Sequence, residues 1–282
     1  MSKVSDFLHT YGIRLNTDLG QHFLTDEDVL QSIINAAEID PTDHIVEIGP
    51  GIGVLTAELL KHAAKVTAIE LDDRMIPLLK EFVRSQQPTT CNHLSIIQGN
   101  ALHVPLPATP YRIVANIPYH ITSPLLRHAF LEGTAGMTSK EGKENFWIAP
   151  KSMTLLIQRE VAENICDKED RGLLTILVGL FGSAKLIRKV PPECFLPRPA
   201  VDSAVLHIRC FEKPLADPAT IEELFRLVKI AFSKKRKMLS NTLGVFPEIA
   251  ERLSRLQIDQ KRRPQTLSVE EWIALAKLKA NT

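Results

Sequence analysis

Short apolar runs alternate with helical spacing over most of the chain. HIVEIG (44–49), KVTAIE (65–70), LSIIQG (94–99) and RIVANI (112–117) are β-rich runs of strand length. Between them, VLTAELLKHAA (54–64) and DRMIPLLKEFV (73–83) carry apolar residues at helical spacing. Strands alternating with helices of this length predict βαβ units and a parallel sheet. TSPLLRHAFLE (122–132), KSMTLLIQREVAENI (151–165) and GLLTILVGLFG (172–182) have apolar periodicity and predict helices. KLIRKV (185–190) and VDSAVLHIRCF (201–211) predict two more strands around the proline-rich PPECFLPRPA. Beyond Pro214 the β signals stop. Residues 220–282 predict several helices, with breaks near Gly244 to Pro247 and at Pro264.

The pattern therefore predicts an α/β domain over residues 1–212 and a small all-α domain over 213–282. Charge sharpens that division. The formal net charge is +1, but residues 213–282 hold 14 Lys and Arg against 8 Asp and Glu, net +6, which leaves the rest at −5. A basic helical end makes a polyanionic partner plausible there, although a solvated helical surface has the same composition.

The 282 residues, 44% of them hydrophobic, suffice for a sizeable core. No run of 18 apolar residues exists, so no membrane helix is expected. The first residues, MSKVSDFLHTYG, lack the apolar centre of a secretory signal. Cys91, Cys166, Cys194 and Cys210 show no C-x-x-C spacing. They suit reduced thiols in the cytoplasm and argue against a metal site.

The first strand runs into Glu47-Ile48-Gly49-Pro50-Gly51-Ile52-Gly53 and then a helix. Glycines at such a turn let the backbone approach a ligand closely. The dinucleotide fingerprint is G-x-G-x-x-G, whereas here the third glycine comes one residue early. Glu70 ends the second strand, where a carboxylate can accept from both ribose hydroxyls. The position implies a nucleoside-containing cofactor, and the spacing points away from a dinucleotide. E-x-G-x-G-x-G with a strand-end acid resembles the class I S-adenosylmethionine-dependent methyltransferases, which implies S-adenosyl-L-methionine as methyl donor.

RIVAN is followed by Ile117-Pro118-Tyr119. A strand-end Asn-Ile-Pro-Tyr resembles the (N/D/S)-P-P-Y motif of methyltransferases acting on exocyclic amino groups. The chemistry accounts for each residue type. The adenine 6-amino lone pair is delocalised into the ring, so the nitrogen is a poor nucleophile. Two acceptors aimed at its hydrogens, the Asn116 side-chain oxygen and the Ile117 carbonyl, favour a pyramidal nitrogen with a localised lone pair. Pro118 stiffens the turn. Tyr119 offers a face for an unstacked base.

Further stretches occur in order along the chain: Leu19-Gly20-Gln21-His22-Phe23-Leu24 before the first helix, Gly99-Asn100-Ala101-Leu102, Gln158-Arg159-Glu160-Val161-Ala162 in a helix, Phe195-Leu196-Pro197-Arg198-Pro199 leading into Val201-Asp202-Ser203-Ala204-Val205, and Phe232-Ser233-Lys234-Lys235-Arg236-Lys237 opening a helix. Over nearly the whole chain these resemble the rRNA adenine N6,N6-dimethyltransferase family, in its small-subunit branch, the kasugamycin-resistance dimethyltransferases. The resemblance implies a Rossmann-like methyltransferase domain with a mostly parallel sheet, and dimethylation of two adjacent adenines near the 3′ end of small-subunit rRNA during ribosome biogenesis. It implies that Gln21, His22, Leu24, Gly49, Gly51, Glu70, Leu71, Asn100, Ala101 and Asn116 surround the cofactor. Asn116 to Tyr119 would form the target-amino site, with Phe195 closing an aromatic clamp opposite Tyr119. Lys234, Lys235, Arg236 and Lys237 would contact phosphates, and Lys261 to Arg263 form a second basic run.

The chain departs from the family in having Asn100 where Asp is common, which keeps an acceptor but loses its charge. The 133–151 segment is longer than usual and is either a contact to RNA or a neutral insertion. The expected partner is the immature small ribosomal subunit, met by a monomer without a membrane. The competing readings are a large-subunit rRNA methyltransferase of antibiotic-resistance type and a non-catalytic assembly or nucleic-acid-binding factor.

Overall fold

The computed structural model describes residues 3–12, 21–132, 149–234 and 236–278. Leu19, Gly20, Lys235 and residues 133–148 of the expected insertion lie outside the described residues. In chain order the elements are α1 (Lys3–Thr10), β1 (Phe23–Leu24), α2 (Glu27–Ala37), β2 (His44–Ile48), α3 (Val54–Leu59), β3 (Lys65–Glu70), α4 (Met75–Gln86), β4 (Leu94–Gln98), β5 (Arg112–Asn116), α5 (Thr122–Arg127), β6 (Ser152–Gln158), α6 (Arg159–Cys166), α7 (Leu173–Phe181), β7 (Gly182–Val190), β8 (Phe195–Leu196), β9 (Ser203–Cys210), α8 (Pro218–Phe232), α9 (Pro247–Arg255) and α10 (Val269–Lys277).

Seven strands form one sheet in the order β4-β3-β2-β5-β6-β9-β7. The first five are parallel, and β9 runs antiparallel to both β6 and β7. The chain steps outward from β2 to β3 to β4, then returns to place β5 on the other side of β2. That reversal leaves a crevice at the carboxyl ends of β2 and β5, where open α/β sheets bind ligands. Alternate residues of β2 serve opposite faces: Val46 and Ile48 join one core cluster and Ile45 the other. A separate two-stranded pairing, β1 with β8, sets Phe23 opposite Leu196 and Leu24 opposite Phe195.

Three sequence expectations are corrected. Residues 152–158 are a strand, not the first half of a helix. β6 lies between β5 and β9, and its residues from Ser152 to Ile157 are all buried, so its apolar run has no exposed alternation to mark it as β. Gln158 consequently ends a strand, and the helix begins at Arg159. The basic stretch after Phe232 closes a helix instead of opening one: α8 ends at Phe232, and Lys234, Arg236 and Lys237 stand exposed in the turn that follows.

The C-terminal helices rest on the sheet's helices. Leu224, Leu227 and Trp272 belong to the same buried cluster as Phe130 of the turn after α5 and Phe181 of α7. A Cβ at Gly179 of α7 would stand 2.8 Å from Val269 Cγ2, so the missing side chain lets α10 approach. Asp217 and Ser268 cap α8 and α10 by accepting from the Thr220 and Glu271 amides. At the opposite end of β2 from the crevice, buried Asp43 accepts from Arg112 Nε at 2.6 Å and Lys151 Nζ at 2.8 Å, tying β5 and the approach to β6 together.

Candidate active site

The crevice is a pocket of about 350 Å³ lined by the ends of β2, β3 and β5 and by the segment around β1. Its floor is the glycine turn. Gly49, Gly51 and Gly53 have φ of 66°, 57° and 97°, the left-handed region that favours glycine. A Cβ at Gly51 would stand 2.4 Å from Phe23 Cε1, so β1 can cover the turn only because that side chain is absent.

Glu70 holds the turn in shape. Its two oxygens accept from the Gly51 amide at 3.0 Å and the Asp72 amide at 2.8 Å. Burial raises its pKa, against the pull of those two amides. Each carboxylate oxygen has a second lone pair, so acceptor capacity remains toward the pocket. Leu71 beside it is 59% exposed, a flat apolar wall at the rim. On the neighbouring strand end, Asn100 Oδ1 accepts from the Leu102 amide at 3.0 Å, and buried Ala101 completes that wall.

Asn116 ends β5 at the pocket's other side. Its Nδ2 donates to the His22 carbonyl at 3.0 Å, which turns Oδ1 away from that carbonyl. The Ile117 side chain is buried in the core. Pro118 follows with φ −55° and lines the pocket. Tyr119 is half-buried, and its hydroxyl shares a 2.6 Å hydrogen bond with Ser203 Oγ. Burial raises the Tyr119 pKa, the Ser203 bond opposing it. His22 Nδ1 donates to the Pro197 carbonyl at 2.8 Å. The His22 and Tyr119 rings lie nearly parallel, at 17°, with centroids 6.1 Å apart.

Gln21, His22, Leu24, Gly49, Gly51, Glu70, Leu71, Asn100, Ala101 and Asn116, the residues expected around the cofactor, line one pocket, and Pro118 of the expected target-amino group lines it with them. Phe195 does not join them. It is 3% exposed within the core cluster of Phe23 and Leu24, because β8 pairs with β1 and turns the side chain inward. The ring that lies parallel to Tyr119 is His22. The sequence marks Glu47, Phe23 and Ser203 only as members of motifs, with no role of their own, and does not single out Asp72. Asp72 accepts from Gln21 Nε2 at 3.0 Å and from Arg74, whose hydrogen bond lowers the Asp72 pKa. Its place two residues after Glu70 was the available signal.

The V-D-S-A-V and Q-R-E stretches meet here too. Asp202 accepts from Arg159 at the start of α6, and Ser203 shares its hydrogen bond with Tyr119, so V-D-S-A-V reaches both α6 and the turn after β5. The segment that follows the first basic run meets the second: the Leu239 amide donates to the Arg262 carbonyl at 2.8 Å. Arg262 itself is committed to Glu271 through bonds of 2.5 and 3.0 Å.

A nucleoside with a cationic tail fits this pocket: glycine backbone at the floor, apolar walls of Leu24, Ile69 and Leu71, and two acids, Glu47 and Glu70, converging from adjacent strands. The parallel-then-antiparallel seven-stranded sheet with this crevice defines a class I methyltransferase. In structure the chain is similar to a dimethyladenosine transferase from Plasmodium falciparum, with TM-score 0.73 and 27% identity over 90% of this chain and 96% of that one. It shares the fold of the 23S rRNA methyltransferase ErmE, with TM-score 0.69 and 24% identity over 90% and 98% of the two chains. Residues 12–281 match the family model described as ribosomal RNA adenine dimethylase, and the chain belongs to that family. It is 37% identical over 278 residues to the ribosomal RNA small subunit methyltransferase A of Dehalococcoides mccartyi, covering 96% of this chain and 91% of the relative. It is likewise 37% identical over 274 residues to the protein of that name in Clostridium botulinum, covering 95% and 94%.

Proposed function

We propose that this chain uses S-adenosylmethionine to dimethylate N6 of two adjacent adenines near the 3′ end of small-subunit rRNA during ribosome biogenesis, in the cytoplasm and as a monomer. The observation that carries this reading is Asn116. Its amide is fixed by the His22 carbonyl at the mouth of the same pocket that holds the glycine turn and Glu70. Bound S-adenosylmethionine supplies an electrophilic methyl group on a sulfonium. The chain's own task is to hold an adenine amino group in front of it, and positioning with electrostatics supplies most of the rate.

In this reading Glu70 accepts from the ribose hydroxyls and Leu71 packs on the cofactor's adenine ring. Asn100 and Ala101 flank that ring. Gly49 and Gly51 back the methionine part, with Gln21, His22 and Leu24 above it. Asn116 Oδ1 and the Ile117 carbonyl accept from the target amino group, Pro118 fixes the turn, and Tyr119 stacks on the base. Lys234, Arg236 and Lys237, with Lys235, contact phosphates from a helical domain over 213–282, supplying affinity without sequence choice. The base leaves its stack to enter the site.

The test is methyl transfer from radiolabelled S-adenosylmethionine to undermethylated small subunits, followed by nucleoside analysis. The expected product is labelled N6,N6-dimethyladenosine. Label appearing only on large-subunit RNA would overturn the substrate assignment.

A further inference from the structure

The proposed roles leave two acids of the pocket unused, Glu47 and Asp72, and Asp72 is already paired with Arg74. Glu47 is the penultimate residue of β2, just before the glycines, 1% exposed, and lines the pocket. Its Oε2 accepts from Thr56 Oγ1 of α3 at 2.6 Å. Among the described residues it has no cation partner. The charged group that faces it is Glu70 on β3, itself an acid, and Asp72 beyond is already held by Arg74. Burial pushes the Glu47 carboxyl up to about 8, the Thr56 bond opposing and Glu70 adding to the rise. A buried carboxylate with a single hydroxyl donor and an acidic neighbour is poorly stabilised until a cation arrives.

We propose that Glu47 carries a proton in the empty pocket, yields it to solvent when the cationic methyl donor binds, and regains one once the sulfonium has become a thioether. The inference rests on the cofactor reading above. Its charge balance closes. The donor has a sulfonium and an ammonium against one carboxylate, net +1, whereas the product S-adenosylhomocysteine is net neutral. Transfer breaks the sulfonium–methyl bond and forms the N6–methyl bond. The sulfur keeps the electron pair, and the nitrogen sheds one proton. Glu47 takes up one proton as the sulfonium charge disappears, so the chemical step leaves the buried site without an unpaired charge. The proton leaves to solvent when a new donor enters. Glu47 is thus a binding residue that distinguishes donor from product by charge, and its acidity favours exchange of one for the other.

The experiment is titration calorimetry of the full chain with S-adenosylmethionine and with S-adenosylhomocysteine, in phosphate and in Tris at pH 7. The two buffers differ in ionisation enthalpy, so the heats report protons exchanged. The expected result is release of close to one proton per donor bound and markedly less per product bound. Donor affinity should rise by up to about tenfold per pH unit between pH 6 and 8, because deprotonation is linked to binding. Glu47→Gln keeps an acceptor for Thr56 and mimics the neutral acid. It should bind the product within about threefold of the native affinity and release no proton with the donor. Donor binding by the native chain without proton release, or undiminished release in Glu47→Gln, would overturn the proposal. Should the variant fail to bind product, the native proton count decides alone. If the native chain binds no donor, the cofactor reading falls and this inference with it.

Discussion

Tyr119 and Ser203 join through a 2.6 Å hydrogen bond between hydroxyls 84 residues apart in the chain. The bond ties the turn after β5 to the first residue of β9, with β6 between the two strands. It explains why V-D-S-A-V accompanies N-I-P-Y in one sequence: Ser203 orients the ring on which the target base is proposed to lie.

Ser203→Ala should therefore act through Tyr119. Loss of one hydrogen bond costs about 1 kcal/mol of stability. The ring loses its anchor, and kcat should fall about tenfold while S-adenosylhomocysteine affinity changes less than about twofold. Paired steady-state kinetics and calorimetry check this.

Asn116→Ala removes the proposed acceptor for the amino group. Transfer should fall about 10²- to 10³-fold, the usual cost of one oriented polar contact in a transition state. Cofactor affinity should change far less, although the bond to the His22 carbonyl is lost as well. Equal losses of both, measured by single-turnover transfer and calorimetry, would remove the assignment.

Gly51→Ala meets two obstacles, φ of 57° and a Cβ 2.4 Å from Phe23. It should destabilise the fold by about 2–4 kcal/mol. Gly172→Ala, with nothing within 4 Å of its added Cβ, should stay within about 0.5 kcal/mol. Thermal unfolding of the pair separates crowding from a general intolerance of alanine.

Asp43 predicts a pH dependence. Burial opposes its ionisation, but Lys151, the Asp40 amide and Arg112 outweigh it and hold the pKa below 3.8. A group with a lowered folded pKa contributes stability that is present above the unfolded value and is lost as pH falls through the folded one. Urea unfolding between pH 2 and 5 should show this acid-side loss in the native chain. Asp43→Asn should lack that component and start less stable by about 3 kcal/mol, since Arg112 loses its buried partner.

The basic runs should separate by mechanism. Arg236→Glu with Lys237→Glu should weaken RNA binding and lower the slope of log affinity against log salt by about 2. Arg262→Ala should instead reduce stability with little change in that slope, because its guanidinium is spent on Glu271. Filter binding across a salt series tests both.

Much of this site was legible because its signals are local. Gly49 to Gly53, Glu70 and Asn116 to Tyr119 each end a strand, and a parallel sheet gathers strand ends at one edge. The legible part stops where a residue's surroundings come from far along the chain. Phe195 sits in an aromatic motif beside prolines, and only its pairing with Leu24 turns the ring into the core. Residues 152–157 are buried on both faces of the sheet, Met153, Leu155 and Ile157 in one core cluster and Leu156 in the other, so the run Leu155-Leu156-Ile157 shows no alternation and periodicity cannot distinguish it from a buried helix. Glu47 looked like part of the glycine motif, and its isolation from any described cation emerges only when α3 is packed over β2.

The pairing of β1 with β8 has a consequence for synthesis. Residues 21–24 form one wall of the crevice, yet their partner strand is made some 170 residues later, and Pro197, which holds His22, later still. The glycine turn, Glu70 and Asn116 all leave the ribosome before that wall can be fastened. A nascent chain or a fragment ending before residue 195 has the glycine turn, Glu70 and Asn116 and lacks the strand and the carbonyl that fasten residues 21–24 beside them.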